Sequence, residues 1–385
     1  MTWSDPEPLG QPDEVGFGSP RPPRRHWPRW PRASRRPLGT RWPLILAGAA
    51  VIAAAVVLAL GRHPAKSAQA RAQAAVTVSE AGHRLLGVRA GWDLVGYGPI
   101  SAVRVQLAQG RVTQTVLPVL KSTGPVSFVA GPSQMIIRPW DFVPGYVVPD
   151  GAPARPLTGA LGRGRAALPG PRPAEVWVRT SATSLALARM DGRRIAGSIR
   201  LPAGGWWLAS ANGRGGVLLS GVGEVYDVWA GGSRHIGGML AAVGPTRWLT
   251  VNCYRPHRCA DMVIDTATGT QRQLGGPPVM SVSASSPGAV APGGATAAVF
   301  RVTAGGRITL HLLNLATGAD QQVAVRLGQA SAGPGTLAWS PDSRWLFVVT
   351  AHGGLAVVNR RTEQVGGLGA QLPWLSQIAI RNAPR

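Results

Sequence analysis

Lysine is almost missing from this chain of 385 residues: Lys66 and Lys121 are the only two, so 38 of the 40 basic residues (40 − 2) are arginine. Acids are scarce too, 17 against those 40, which leaves a net charge of +23. Arginine enriched together with alanine, glycine and proline reads as the codon bias of a GC-rich genome. The arginines are scattered instead of clustered on one predicted element, which argues against a nucleic-acid partner. Histidine occurs seven times and never at metal-ligand spacing. The chain also lacks a Gly-x-Ser-x-Gly elbow, a His-Glu-x-x-His pair and a phosphate-cradling Gly-x-x-x-x-Gly-Lys loop. No catalytic residue, cofactor or metal site is assigned on this basis. Outside turn positions the acids of the C-terminal part are Asp93, Asp141, Glu175, Glu224, Asp227 and Asp261. Glu224 and Asp227 are the nearest approach to an acid/base pair, but three residues apart on a strand they face opposite sides.

Cysteine is limited to Cys253 and Cys259. Both flanks read as strands, and Tyr254-Arg-Pro-His-Arg258 between them reads as a turn. Two cysteines facing each other across a hairpin mouth fall within disulfide range, and an oxidising compartment permits the bond. A metal site using His257 between the thiolates lacks a fourth ligand.

Long hydrophobic runs are limited to one, Trp42 to Gly61, twenty residues without a charge. As a helix it covers about 30 Å, the thickness of a bilayer's hydrocarbon core. Arg21, Arg24, Arg25, Arg29, Arg32, Arg35, Arg36 and Arg41 precede it, against Arg62, Lys66 and Arg71 after it. That asymmetry predicts a signal anchor with a cytoplasmic N-terminus and an extracytoplasmic C-terminal part. Arg41, Trp42 and Arg62 are the expected flanking anchors at the two interfaces. Cleavage near Ala68-Gln69-Ala70 is the competing reading, against which the apolar run is long and its preceding region longer still. Residues 1–41, proline-rich and poor in apolar groups, are expected to be disordered, and residues 62–80 to form a stalk.

Beyond residue 80 the chain, rich in glycine (51) and proline (34), repeats one phrase: a strand, a Gly or Pro turn, a second strand, then a turn carrying Asp or Asn. Thr246-Arg-Trp-Leu-Thr-Val251 aligns with Ser343-Arg-Trp-Leu-Phe-Val348. Asp265, Asn314 and Asn359 hold the same place in three repeats, 49 and 45 residues apart. Units start near Leu85, Val126, Arg165, Trp206, Leu240, Ser285 and Thr336, an interval matching the period of about 40–45 residues for a four-stranded propeller blade. The predicted fold is all-β: a β-propeller of about seven four-stranded blades over residues 81–385. Leu375-Ser-Gln-Ile-Ala-Ile380 has no blade of its own and is expected to complete the first and latch the ring. Trp206, Trp207, Trp248, Trp339, Trp345 and Trp374 recur near unit starts and read as packing between blades in preference to a sugar-stacking platform.

Leu337-Ala-Trp-Ser-Pro-Asp-Ser-Arg-Trp-Leu-Phe-Val348 resembles the Trp-Ser-Pro-Asp-Gly-Arg-Trp-Leu phrase of TolB-type and related WD-like propeller repeats, with Ser343 where glycine is usual. The whole chain is similar to the single-pass, propeller-bearing membrane proteins of actinobacteria. The resemblance implies a fold and a binding surface and carries over no catalytic residue. The expected role is therefore a membrane-anchored, non-enzymatic module. Its partners would be membrane lipid through the anchor and a protein or anionic envelope ligand through the propeller. The alternatives are a lyase or hydrolase acting on envelope sugars or peptides, and signalling through the basic tail.

Overall fold

A computed structural model describes residues 76–382 apart from residues 90, 119, 121, 123, 142, 222, 256–257, 277, 280–286 and 304. The expected tail, anchor and most of the stalk, with Arg41, Trp42 and Arg62, lie outside the described residues. Among the described residues no helix is long and apolar enough to cross a membrane. The only α-helix among them is α1, Gly159–Arg163.

The strands group by sequence neighbourhood. The first sheet has the order β1-β4-β3-β2-β29, with β1 Val76–Glu80, β2 Trp92–Tyr97, β3 Ser101–Gln106, β4 Arg111–Val116 and β29 Gln377–Asn382. Four separate meanders follow the blade pattern. They are β5–β8 (Val126–Ala130, Gln134–Pro139, Tyr146–Pro149, Arg155–Pro156) and β9–β12 (Ala167–Pro169, Glu175–Ser181, Ser184–Arg189, Arg194–Arg200). The other two are β13–β16 (Trp207–Ala211, Val217–Ser220, Val225–Trp229, Gly232–His235) and β25–β28 (Leu337–Trp339, Trp345–Val349, Leu355–Asn359, Val365–Gly366).

The remaining sheet is eight-stranded. It joins β17–β20 (Met239–Val243, Arg247–Arg255, Arg258–Asp265, Gln271–Gln273) to β21–β24 (Gly288–Val290, Thr296–Val302, Ile308–Asn314, Asp320–Val323). The expectation of seven separate blades is corrected accordingly: five sheets stand alone, and two meanders fuse through a parallel pairing of Ala242 with Gly288 and Val243 with Ala289. Gly288 permits the fusion. A Cβ there would fall 2.1 Å from the Ala298 carbonyl oxygen and 3.2 Å from that of Ala241, so only a glycine lets the two backbones approach.

Two further expectations change. Val76–Glu80, assigned to the stalk, is the outermost strand of the first sheet, paired in register with β4. Arg155 to Pro173, expected as a long loop, contains β8, α1 and β9; Leu161 of α1 is buried among Val176, Val178 and Met190.

The middle strands are buried on both faces because each meander is sandwiched between its neighbours. In β22, Ala297 and Val299 pack towards Leu249 and Val263 on one side, while Ala298 and Phe300 pack towards Leu346 and Val358 on the other. This explains why the sequence reads there as a nearly continuous apolar run. The innermost strands form a closed circuit. Contacts run from β29 to β5, β9 and β13, then by the packing of Ala209 near Leu240 to β17, and on through β21 and β25 back to β29. The ring therefore has no open inner sheet edge.

The latch is electrostatic as well as hydrogen-bonded. β29 pairs with β2 from Trp92↔Asn382 to Tyr97↔Gln377. From it, Arg381 donates to both carboxylate oxygens of Asp150 at 2.7 and 2.6 Å and to the Gly131 carbonyl at 2.9 Å. Arg104 bridges Asp93 (2.7 Å) and Asp150 (3.0 Å), so two arginines and two aspartates form one largely buried network across the first two sheets.

The Asp/Asn turns have one construction. The side-chain oxygens of Asp265, Asn314 and Asn359 each accept two backbone N–H groups two and three residues on. The residue four on donates back to the Asx carbonyl with positive φ: Gly269 (76°), Gly318 (77°) and Glu363 (60°). These are turn-forming groups, as Asx side chains favour. Ser343, where the resembled phrase has glycine, also sits at φ 59°, and its hydroxyl accepts the Gly293 N–H at 2.9 Å. That bond offsets the strain of a left-handed backbone, about 1–2 kcal/mol. Ser343→Ala keeps the strain and strands the N–H, so it should lower urea-unfolding stability by about 1–2 kcal/mol. Ser343→Gly exchanges one term for the other and should change it by less than about 0.5 kcal/mol. Equal losses in the two variants would contradict this account.

Candidate ligand pocket at the start of the inner strands

The first residues of several inner strands converge around a cavity of about 250 Å³. Its walls come from β5, β9 and β13, from Trp140 just after β6, and from Pro334, Gly335 and Gln377 at the approach to β25 and the start of β29. Trp140 and Trp207 stack at 6.0 Å with 30° between their planes. Trp207 remains 46% exposed, so it offers a bare aromatic surface to the cavity it lines.

The polar groups of the pocket are few and their bonding is asymmetric. The buried Ser127 hydroxyl accepts Trp140 Nε1–H at 2.7 Å and the Ala167 N–H at 3.1 Å. With both lone pairs engaged, its own proton is what remains to donate. Gln377 donates through Nε2 to the Val126 carbonyl at 2.8 Å, which orients its amide and leaves Oε1 as an acceptor. Ser210 adds a half-buried hydroxyl. Among the described residues the lining contains no carboxylate, imidazole, guanidinium or thiol. The arrangement suits recognition of an uncharged ring by stacking, one donor and one acceptor.

The acids singled out from the sequence lie elsewhere and are engaged structurally. Asp93 belongs to the latch. Asp227 is buried, accepting from Asn212 Nδ2 at 2.6 Å and Arg234 at 3.1 Å, whereas Glu224 is exposed outside β15; the two do not form a pair. Glu175 is buried, with Arg172 at 3.6 Å. Asp141 accepts the Val143 N–H at the turn after β6. Burial holds the Asp261 carboxyl above its ordinary range although it accepts the Val279 N–H at 2.8 Å. Among the described residues no group of three His, Cys, Asp or Glu could hold a metal.

Cys253 and Cys259 are disulfide-bonded, opposite each other in the β18–β19 register with Cα atoms 3.9 Å apart. His257 lies outside the described residues. Of the recurrent tryptophans, Trp248 and Trp339 are buried between sheets and Trp345 is half-buried. Trp206 packs edge-on to Tyr226. Trp207 and Trp374 are exposed, so the expectation of inter-blade packing does not extend to them. Sequence reasoning missed Ser127, Trp140 and Gln377 as pocket residues. Gln377 and Val126, bonded to each other, are 251 positions apart, and no local spacing records that meeting.

No protein family model matches the chain, and no curated protein matches it. Some solved structures are similar at low identity. A candidate 6-phosphogluconolactonase from Bacteroides uniformis is similar at 11% identity and a TM-score of 0.49, over 75% of this chain and 99% of that one. A second, from Bacteroides fragilis, is similar at 10% identity and 0.48, over 77% and 99%. TolB from Acinetobacter baumannii is similar at 10% identity and 0.39, over 75% and 66%. At these values the likeness concerns chain arrangement and carries no activity over to this chain.

Proposed function

We propose that this protein is a membrane-anchored, extracytoplasmic propeller that binds a protein or envelope ligand without chemically altering it. The observation that carries the reading is the aromatic-walled cavity lined, among the described residues, by no titratable side chain. Proton transfer in a hydrolase or lyase needs an acid or base within hydrogen-bond reach of the reacting atoms. A rigid ring whose connections meet at one cavity instead supplies recognition at little ordering cost. The anchored, extracytoplasmic placement rests on the uncharged run Trp42 to Gly61, on the arginine excess before it and on the Cys253–Cys259 disulfide.

Tryptophan fluorescence titration with neutral glycan fragments and with peptides bearing aromatic or proline side chains tests the proposal. One probe class should bind saturably. Trp207→Ala should weaken it about tenfold, the worth of one lost stacking contact. Breakdown of the bound probe on incubation would replace the proposal with an enzymatic one.

A further inference from the structure

The two faces of the ring differ in how much apolar surface they expose. Inner strands begin on one of them, the entry face, which therefore carries the crossings between blades and the hairpins between second and third strands. β1 runs antiparallel to β4, with Val76 opposite Thr115, so β1 begins at the rim of this same face. Fourteen residues separate Gly61 from Val76, at most about 50 Å of extended chain.

The entry face exposes large apolar side chains on several blades. Ile100 is 60% exposed in the β2–β3 turn, Val302 44% at the end of β22, and Trp374 54% in the crossing into β29. Tyr254, 67% exposed, stands near the tip of β18–β19, which are nine and eight residues long. The Cys253–Cys259 disulfide ties this hairpin just behind its tip. Arg258, Arg307 and Arg326 are exposed on the same face, and none has an ion-pair partner among the described residues. Glu224 is the only fully exposed carboxylate there among the described residues. The opposite face carries Asp191, Asp342 and Glu363 in its turns together with exposed Arg193, Arg344, Arg360 and Arg361, and it exposes fewer large apolar side chains, Trp229 and Val365.

We infer that the entry face docks on an anionic lipid surface, with Tyr254 and Trp374 entering the headgroup layer and the three arginines held over anionic headgroups. Aromatic and aliphatic side chains ringed by uncompensated arginine are what such an interface favours. The smaller number of exposed apolar side chains on the other face disfavours the reverse orientation. The pocket mouth would then open towards headgroups, although docking does not depend on the pocket being a binding site.

The test uses the full-length chain reconstituted in nanodiscs of phosphatidylcholine alone or with phosphatidylglycerol, read by hydrogen exchange. Segments spanning 250–260, 300–308 and 370–376 should exchange more slowly on the anionic discs only, while 265–270 and 359–364 stay unchanged. Replacing an arginine by glutamine should weaken docking about fivefold each, and the triple variant Arg258→Gln, Arg307→Gln, Arg326→Gln about a hundredfold. Ser127→Ala, which changes the pocket beneath the surface, should leave docking intact, which separates this inference from the function proposed for the pocket. Equal protection on both lipids, protection of the opposite turns, or an unaffected triple variant would overturn it. Protection that follows protein density and not lipid charge would assign the face to a second copy and overturn it too.

Discussion

Arg381→Met is expected to lower the unfolding free energy by about 3–5 kcal/mol, the scale for removing one partner of a buried ion pair. Its side chain is 4% exposed and its guanidinium is held by Asp150 and the Gly131 carbonyl, with Asp93 at 3.8 Å. Without it Asp150 keeps only Arg104, and two carboxylates stay buried against one guanidinium. The energetic argument concerns the charges left behind more than the bonds lost, because desolvated charge is costly when uncompensated. The location magnifies the consequence. Arg381 lies on the strand that joins the end of the chain to its beginning, so loosening it frees the inner edge of the first sheet. Urea unfolding measures the loss. A double-mutant cycle of Arg381→Met with Asp150→Asn should show coupling above about 1 kcal/mol, as contacting charges do. A loss below about 1 kcal/mol for Arg381→Met alone would mean that the latch is held by apolar packing and strand pairing.

Trp248→Ala is expected to be comparably destabilising, about 3–5 kcal/mol. The indole is fully buried with Leu218, Val225, Ile236, Leu240 and Ile264, filling the seam between the β13–β16 and β17–β20 meanders, and Arg234 lies 5.9 Å over its ring. Truncation leaves a cavity between two separately built meanders, which backbone pairing does not collapse. Trp248→Phe should lose much less. It keeps most of the apolar volume and removes the indole N–H, which is buried without an acceptor among the described residues and carries a desolvation penalty of its own. Thermal and urea unfolding of the two variants give the comparison, and equal losses would contradict the packing account.

The Arg-Trp-Leu phrase shows how far local pattern reaches. It occurs at Arg247 and again at Arg344, each time opening a second strand of a meander, and the alternation of the residues that follow marked both as strands. Yet Trp248 is wholly buried while Trp345 is half-buried beneath Arg344 at 5.2 Å. Identical local chemistry met different neighbouring meanders. The Asx turns were legible for the opposite reason: Asp265, Asn314 and Asn359 bond only to backbone within four residues, so everything that fixes them lies in one short phrase. The disulfide was legible on the same ground, its cysteines being six positions apart. The separateness of the blades was not, because the fusion of β17 to β21 depends on two backbones 46 residues apart finding room at Gly288.

By itself the amino-acid sequence determined the repeat period, most of the strands, the Asx turns, the cysteine pairing and the spare last strand, because each is written in short-range spacing or apolar alternation. Only the tertiary structure decided which side chains meet at the pocket, that Asp93 and Asp150 share two arginines, that Val76–Glu80 extends the first sheet, and that exposed aromatics gather on the face where inner strands begin. The reason is geometric: a ring brings its first and last residues together and places one residue from each distant repeat around a common axis, and no spacing along the chain encodes those encounters.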